Sequence, residues 1–144
     1  MNQTRPISIC VFSRNDKILV FEGYDSSKDQ TFYRPLGGGI EFGESSEQTI
    51  HRELMEEIGA EVSALKYLGA LENLYVFNGT PGHEIVQVYD GALKESGLYE
   101  QAVIVGHEAD VEVSFKAMWK SLNEFGEGKS ILYPNGLLEL LIAR

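Results

Sequence analysis

Residues 45–59, SSEQTIHRELMEEIG, hold a helix whose two ends are both written in the chain. Ser45 followed three residues later by Gln48 is a capping box, in which each side chain satisfies a backbone N–H that the first turn leaves open. Gly59 suits the left-handed residue that closes a helix. The chain on either side has another rhythm. From Ile7 to Phe21 two β-branched or apolar runs flank SRND, a turn composition, and predict a hairpin. TFYRPL reads as extended up to Pro35, because the residue before a proline is pushed out of the helical region. ALKYLGALENLYVF and HEIVQVYDGAL read as strands around the loop NGTPG, VSFKAMWKSL as another strand, and LLELLIA as a short C-terminal helix. Gly37, Gly38 and Gly39 are expected to form a loop, as is the acidic stretch from Lys94 to Asp110. One bounded helix set among strands predicts the α/β class.

The 144 residues, 43% hydrophobic, are enough for one domain with a sizeable core, here taken as residues 1–144. A net charge of −10 disfavours duplex nucleic acid and an anionic membrane as partners, since both are held by basic faces. Small anions remain admissible where a cation mediates. No apolar run approaches the roughly 18 residues of a membrane span, and MNQTRPISIC lacks the pattern of a signal peptide, so a cytoplasmic location is expected. Cys10, the single cysteine, lies in an apolar run and is expected to pack as a small hydrophobe.

Within the helix, like charges three and four residues apart weaken the element, yet Glu53, Glu56 and Glu57 sit close together. At about 100° per residue, with Ile50 at zero, Leu54 and Ile58 fall near 40° and 80° and form an apolar stripe. The three glutamates fall near 300°, 240° and 340°, a sector beside that stripe. Such a group is ordinarily a solvated face, with Arg52 paired to Glu56. Acids at a core edge, however, repel one another unless a cation joins them, and an all-oxygen donor set favours Mg²⁺ or Mn²⁺. Mg²⁺ commonly shares its remaining positions with substrate phosphates. Glycines just upstream leave room for a substrate or a backbone carbonyl to approach.

The decisive feature is the spacing. Gly38, Glu44, Arg52, Glu53, Leu54, Glu56, Glu57, Gly59 and Ala60 fit Gly-x5-Glu-x7-Arg-Glu-U-x-Glu-Glu-x-Gly-U, with U aliphatic and Ala60 smaller than usual. This pattern is the Nudix box, and the chain resembles the MutT-like Nudix hydrolases. The resemblance implies an α/β/α sandwich with a mixed β-sheet, and cleavage of a phosphoanhydride in a nucleoside diphosphate linked to another moiety. Nucleoside triphosphates, dinucleoside polyphosphates and nucleotide sugars such as ADP-ribose fall in that class. It further implies Mg²⁺ or Mn²⁺ on Glu53, Glu56 and Glu57, with a backbone carbonyl of Gly37 or Gly38 as an added ligand. Either Glu53 or Glu56 would act as base toward the attacking water, while Glu44 and Arg52 tie the loop to the helix. Family members often recruit a further acid from outside the box, for which Glu108 and Glu112 are the candidates, although each read by itself is a solvated loop acid.

Tyr33, Arg34, Tyr75 and Phe77 are the candidate substrate-binding residues, the rings as surfaces on which a base could stack. Tyr89 is another ring in a strand pattern. Tyr75 and Phe77 resemble the aromatic position of dinucleoside polyphosphate hydrolases, and no proline lies between residue 61 and Pro81, unlike some family members acting on ADP-ribose. GEGKS at 126–130 is rejected as a phosphate-binding loop, because Asn123 stands where that motif needs glycine. A Nudix-fold sensor that binds without hydrolysis is the rival reading, disfavoured by the intact acids. An RNA-end pyrophosphohydrolase is disfavoured by charge. A homodimer is compatible with the sequence but not specified by it.

Overall fold

The computed structural model describes residues 2–108 and 113–144. Strands β1 (Thr4–Arg14) and β2 (Lys17–Asp25) form the expected hairpin, followed by β3 (Gln30–Arg34) and β4 (Leu36–Gly39). Helix α1 (Ser46–Ile58) leads to β5 (Val62–Phe77) and β6 (Thr80–Leu93). A 3₁₀ turn (Ser96–Glu100), β7 (Val103–Glu108), β8 (Val113–Ser121), α2 (Leu122–Gly126) and α3 (Leu137–Ala143) complete the chain. The sheet order is β5-β6-β1-β2-β8-β7, with β3 beside β2 and β4 beside β1. β1 and β6 run parallel while their other neighbours are antiparallel, so the sheet is mixed.

Alternation along β1 builds the layers. Ile7, Ile9 and Val11 enter one core with Phe125 of α2 and Leu137 and Leu141 of α3. Cys10 and Phe12 enter the other, with Ile50 and Leu54 of α1. Period two in the strand sends successive side chains to opposite faces, so helices cover both sides. Full burial of Ile50 and Leu54 contributes about 1.5–3 kcal/mol each relative to exposure, and orients α1 by its apolar stripe. Cys10 is buried, and that burial, with Asp90 nearby, pushes its thiol pKa upward.

β1 and β2 share only the pairs Ser13↔Ile18 and Arg14↔Lys17 before separating. β4 then continues beside β1 and β3 beside β2. This splay leaves an open cleft between them.

Two expectations need correction. Gly37–Gly39 is not a loop but part of β4, with Ser8↔Gly38 and Ile9↔Gly37 in register. A Cβ on Gly37 would lie 2.1 Å from the backbone oxygen of Ser8, so the missing side chain is what lets the two strands close up. The stretch 94–110 also contains structure: its 3₁₀ turn buries Leu98, and β7 pairs with β8 along an edge. The strand was hidden because VIVGHE is short and shows no apolar/polar alternation: Val103 and Val105 are exposed and Ile104 is buried, so its pairing with β8 is what defines it. Among the described residues no helix is long and apolar enough to cross a membrane.

Candidate active site

The capping box is present at the start of α1: Ser45 Oγ accepts from the Gln48 backbone N–H at 3.1 Å, and Gln48 Oε1 from the Ser45 N–H at 2.8 Å. Gly59 closes the helix at φ 66°. Among the described residues Arg52 hydrogen-bonds to four partners and forms a longer ion pair with Glu41 at 3.7 Å. Its Nε and Nη2 donate to the two oxygens of Glu44 at 2.8 and 2.9 Å, a bidentate pair. Nη1 donates to Glu53 Oε1 at 2.7 Å and Glu56 Oε2 at 3.3 Å, and Nη2 also donates to the Gly39 carbonyl at 2.9 Å. Thr49 Oγ1 donates to Glu44 Oε1 at 2.6 Å. The Arg52 hydrogen bonds, followed by that of Thr49, hold the Glu44 carboxyl down to a pKa of about 2. The same hydrogen bonds raise the pKa of Arg52. One guanidinium thus offsets the repulsion among the helix acids and fastens β4 and the following loop to α1.

Glu53 and Glu57 line the cleft, which has a volume of about 510 Å³ and is also walled by Arg5, Phe21, Arg34, Gly37–Gly39 and Glu84. Glu57 is only 3% exposed. Glu56 is outside this lining, with its side chain 39% exposed and bonded to Arg52. Helical geometry explains the division: Glu53 and Glu57, four residues apart, share a face, while Glu56 is rotated away from both. Among the described residues no group of three or more His, Cys, Asp or Glu side chains is gathered closely enough to hold a metal ion.

Two carboxylates and a backbone segment nevertheless suit a hard cation, since Mg²⁺ is usually bound through one or two carboxylates, with water and phosphate completing its shell. Gly38 supports that fit. A Cβ there would lie 2.4 Å from Glu53 Cδ and within 2.7 Å of both its oxygens. The glycine therefore keeps a side chain out of the space beside the carboxylate.

A second compartment of about 240 Å³ adjoins the first and shares Arg5, Phe21, Arg34 and Glu84 with it. Its far walls are Phe32 from β3, Asn73, Tyr75 and Phe77 from β5, and Tyr133. Phe32 meets Phe77 and Tyr133 edge-on at centroid distances of 5.9 and 5.4 Å. Gly23 and Gly82 sit across the ladders from Phe32 and Tyr75 and give those rings room; a Cβ at either would strike the ring, at 2.4 and 2.1 Å. The tips of the two hairpins are joined where Asn78 Oδ1 accepts from Ser26 N–H at 2.8 Å and Lys28 Nζ donates to the Val76 carbonyl at 2.8 Å.

Of the residues expected to meet substrate, Arg34, Tyr75 and Phe77 line this second compartment. Tyr33 lines neither. It points to the opposite face of β3, where its ring packs 6.2 Å from Phe125 beneath Lys120 and its hydroxyl donates to Glu22 at 3.2 Å. Alternation decides this, since Phe32 and Arg34 share one face of the strand and Tyr33 takes the other. Tyr89 is buried between α1 and β5, bonded to Ser46 and set against Tyr67. Glu112 lies outside the described residues, and Glu108 ends β7 at the boundary of that segment. Arg5, Phe32, Asn73, Glu84 and Tyr133 were not singled out in the sequence. Phe32 and Asn73 could have been found by period two from Arg34 and Tyr75. Arg5, Glu84 and Tyr133 reach the cleft only through distant strand pairing.

A model of the NUDIX domain matches residues 3–134. The NAD-capped RNA hydrolase NudC of Mannheimia succiniciproducens is 53% identical over 38 residues, 26% of this chain and 14% of that protein. The mitochondrial NAD(P)H pyrophosphatase NUDT13 of Homo sapiens is 38% identical over 65 residues, 45% of this chain and 18% of that protein. The match thus spans under a fifth of the length of either relative. Among solved structures, a NUDIX hydrolase from Nitrosomonas europaea superposes with a TM-score of 0.67 at 16% identity, covering 97% of this chain and 87% of the other. A MutT NUDIX hydrolase from Burkholderia pseudomallei gives 0.64 at 14% identity, covering 99% and 98%. These two share the fold. With the domain match running over nearly the whole length, the chain belongs to the Nudix hydrolase family.

Proposed function

We propose that this chain is a metal-dependent pyrophosphohydrolase that cleaves a phosphoanhydride in a nucleoside diphosphate linked to a further group. The observation that carries the reading is the continuity of the two compartments: an acid-lined cleft opens into an aromatic one, with Arg5 and Arg34 at the seam. A ligand with a planar ring at one end and a diphosphate at the other matches that sequence of surfaces. The relatives named above act on NAD-capped RNA and NAD(P)H, which supports a dinucleotide or related small molecule as substrate.

Glu53 and Glu57 on the cleft wall, with a backbone carbonyl of Gly37 or Gly38, would hold Mg²⁺ or Mn²⁺, and Glu56 would join them once its side chain leaves Arg52. The bound cation supplies charge neutralisation at the phosphates and lowers the pKa of an attacking water. In this reading Glu53 takes a proton from that water, a role supported by its position in the cleft lining. Water oxygen bonds to one phosphorus as the bridging P–O bond breaks, leaving two phosphate-terminated products. Arg52 holds Glu53 in place by its 2.7 Å hydrogen bond, and the placement of acid and base is what phosphoryl chemistry chiefly requires.

The test is turnover with Mg²⁺ or Mn²⁺ over a panel: nucleoside triphosphates, ADP-ribose, NADH, dinucleoside polyphosphates and 5′-triphosphate RNA. Release of a nucleoside monophosphate from at least one small member is expected, with the RNA disfavoured by the net charge of −10. No turnover together with retained nucleotide binding would make the chain a sensor instead.

A further inference from the structure

We propose that Glu84 is a positioning residue that aims Arg34 at the substrate phosphate nearest the nucleoside, with the base seated in the Phe32–Phe77–Tyr133 compartment. The inference rests on the hydrolase reading above and adds the direction in which substrate lies.

Glu84 is 3% exposed on β6, and a buried carboxylate is costly unless donors surround it. Its donors come from two walls. Asn73 Nδ2 and the Tyr75 hydroxyl, both on β5, reach it at 3.2 and 3.4 Å. Arg34 Nη2, on β3, reaches it at 3.5 Å. Asn73 stands directly opposite Glu84 in the β5–β6 ladder, so those two members are set by backbone register. The contact with Arg34 crosses the cleft and links the two sides of the splay.

Among the described residues Glu84 is the one side-chain hydrogen-bond partner of Arg34, whose guanidinium carries five donors in a planar fork. Arg34 touches both compartments, as does Arg5. A guanidinium fork matches phosphate oxygens, and in a chain of net charge −10 an anion depends on cations held at definite points. The order along the cleft is thus aromatic rings, then Arg34 and Arg5, then Glu53 and Glu57. A nucleoside 5′-phosphate laid along it puts base, phosphate and scissile bond in that order. Were Glu84 only a structural ion pair, its loss would change stability without distinguishing one ligand from another.

Binding is measured by calorimetry in metal-free buffer containing EDTA, with AMP, GMP and UMP against ribose 5-phosphate. Because no turnover is needed, failure of the hydrolase reading and failure of this proposal are separable. At least one nucleotide should bind about tenfold more tightly than ribose 5-phosphate. Glu84→Gln and Arg34→Ala should each weaken that nucleotide by about tenfold, and the double variant should lose no more than Arg34→Ala alone. For the substrate that the parent turns over, Glu84→Gln should raise KM more than it lowers kcat. Should Glu84→Gln fail to fold, Arg34→Lys carries the test: it keeps the charge, loses the fork, and should weaken nucleotide binding at unchanged melting temperature. Equal affinity of the parent for nucleotides and ribose 5-phosphate would overturn the proposal. So would additive losses in the double variant, or nucleotide binding unaltered by Glu84→Gln or, where that variant does not fold, by Arg34→Lys.

Discussion

Arg52 shows how one side chain joins stability to chemistry. Its bonds to Glu44, Glu53, Glu56 and Gly39 tie a loop, a helix and a strand together. Arg52→Ala should therefore lower turnover by releasing Glu53 and should destabilise the fold by on the order of 1 kcal/mol, measured by urea denaturation. The pH dependence has a definite sign. Glu44 has a folded pKa of about 2 against an ordinary value of 4.5, so its stabilisation is complete above about pH 4.5 and is lost as pH falls toward 2. Acid titration of Arg52→Ala should show a smaller loss across that window, because the largest cause of the depressed pKa has gone. An unchanged acid limb would mean that Glu44 is stabilised by something else.

Strand β4 meets β1 and helix α1 through glycines that have separate duties. Gly37 lies against the backbone of Ser8, whereas Gly38 lies against the side-chain end of Glu53. A backbone cannot give way as a carboxylate can. Gly37→Ala should thus destabilise the protein by about 1–3 kcal/mol, a cost typical of overpacking. Gly38→Ala should leave the melting temperature near the parent value and abolish most turnover, since the new methyl displaces Glu53. Thermal unfolding and kinetics of the two variants together check this contrast. Equal effects on stability would show that Glu53 is held too firmly to yield.

For the molecule as a whole, cation binding and folding are coupled through the acids on α1. A ligand that binds only the folded state adds RT ln(1 + [L]/Kd), so millimolar Mg²⁺ or Mn²⁺ should raise the melting temperature and a chelator should reverse the rise. Glu57→Gln keeps the volume of a buried side chain while removing its charge, and should lose most of that cation-dependent increment. A full increment in this variant would place the cation elsewhere. The splay between β1 and β2 matters at the same scale, because it alone brings the box acids of α1 within one continuous cleft with the rings of β3 and β5.

Helix α1 was legible because its determinants are local: Ser45, Gln48 and Gly59 act within a turn of where they stand. That the three glutamates share one sector beside the apolar stripe was legible for the same reason, whereas the box as a whole was read from its resemblance to the Nudix spacing. The strand character of Gly37–Gly39 was not, because it exists only against β1, nearly thirty residues earlier. Tyr33 and Phe32 are adjacent and both aromatic, yet sheet assembly decides which face is core and which is cleft. Glu84 depended on the same step: its neighbours Arg34, Asn73 and Tyr75 belong to two other strands, and one of them reaches it across the splay. The sequence by itself determined the bounded helix, its acids and the alternating strands, which follow from interactions over a few residues. Only the tertiary structure decided which side chains face the cleft, because strand pairing and the divergence of β1 from β2 are set by contacts between distant parts of the chain.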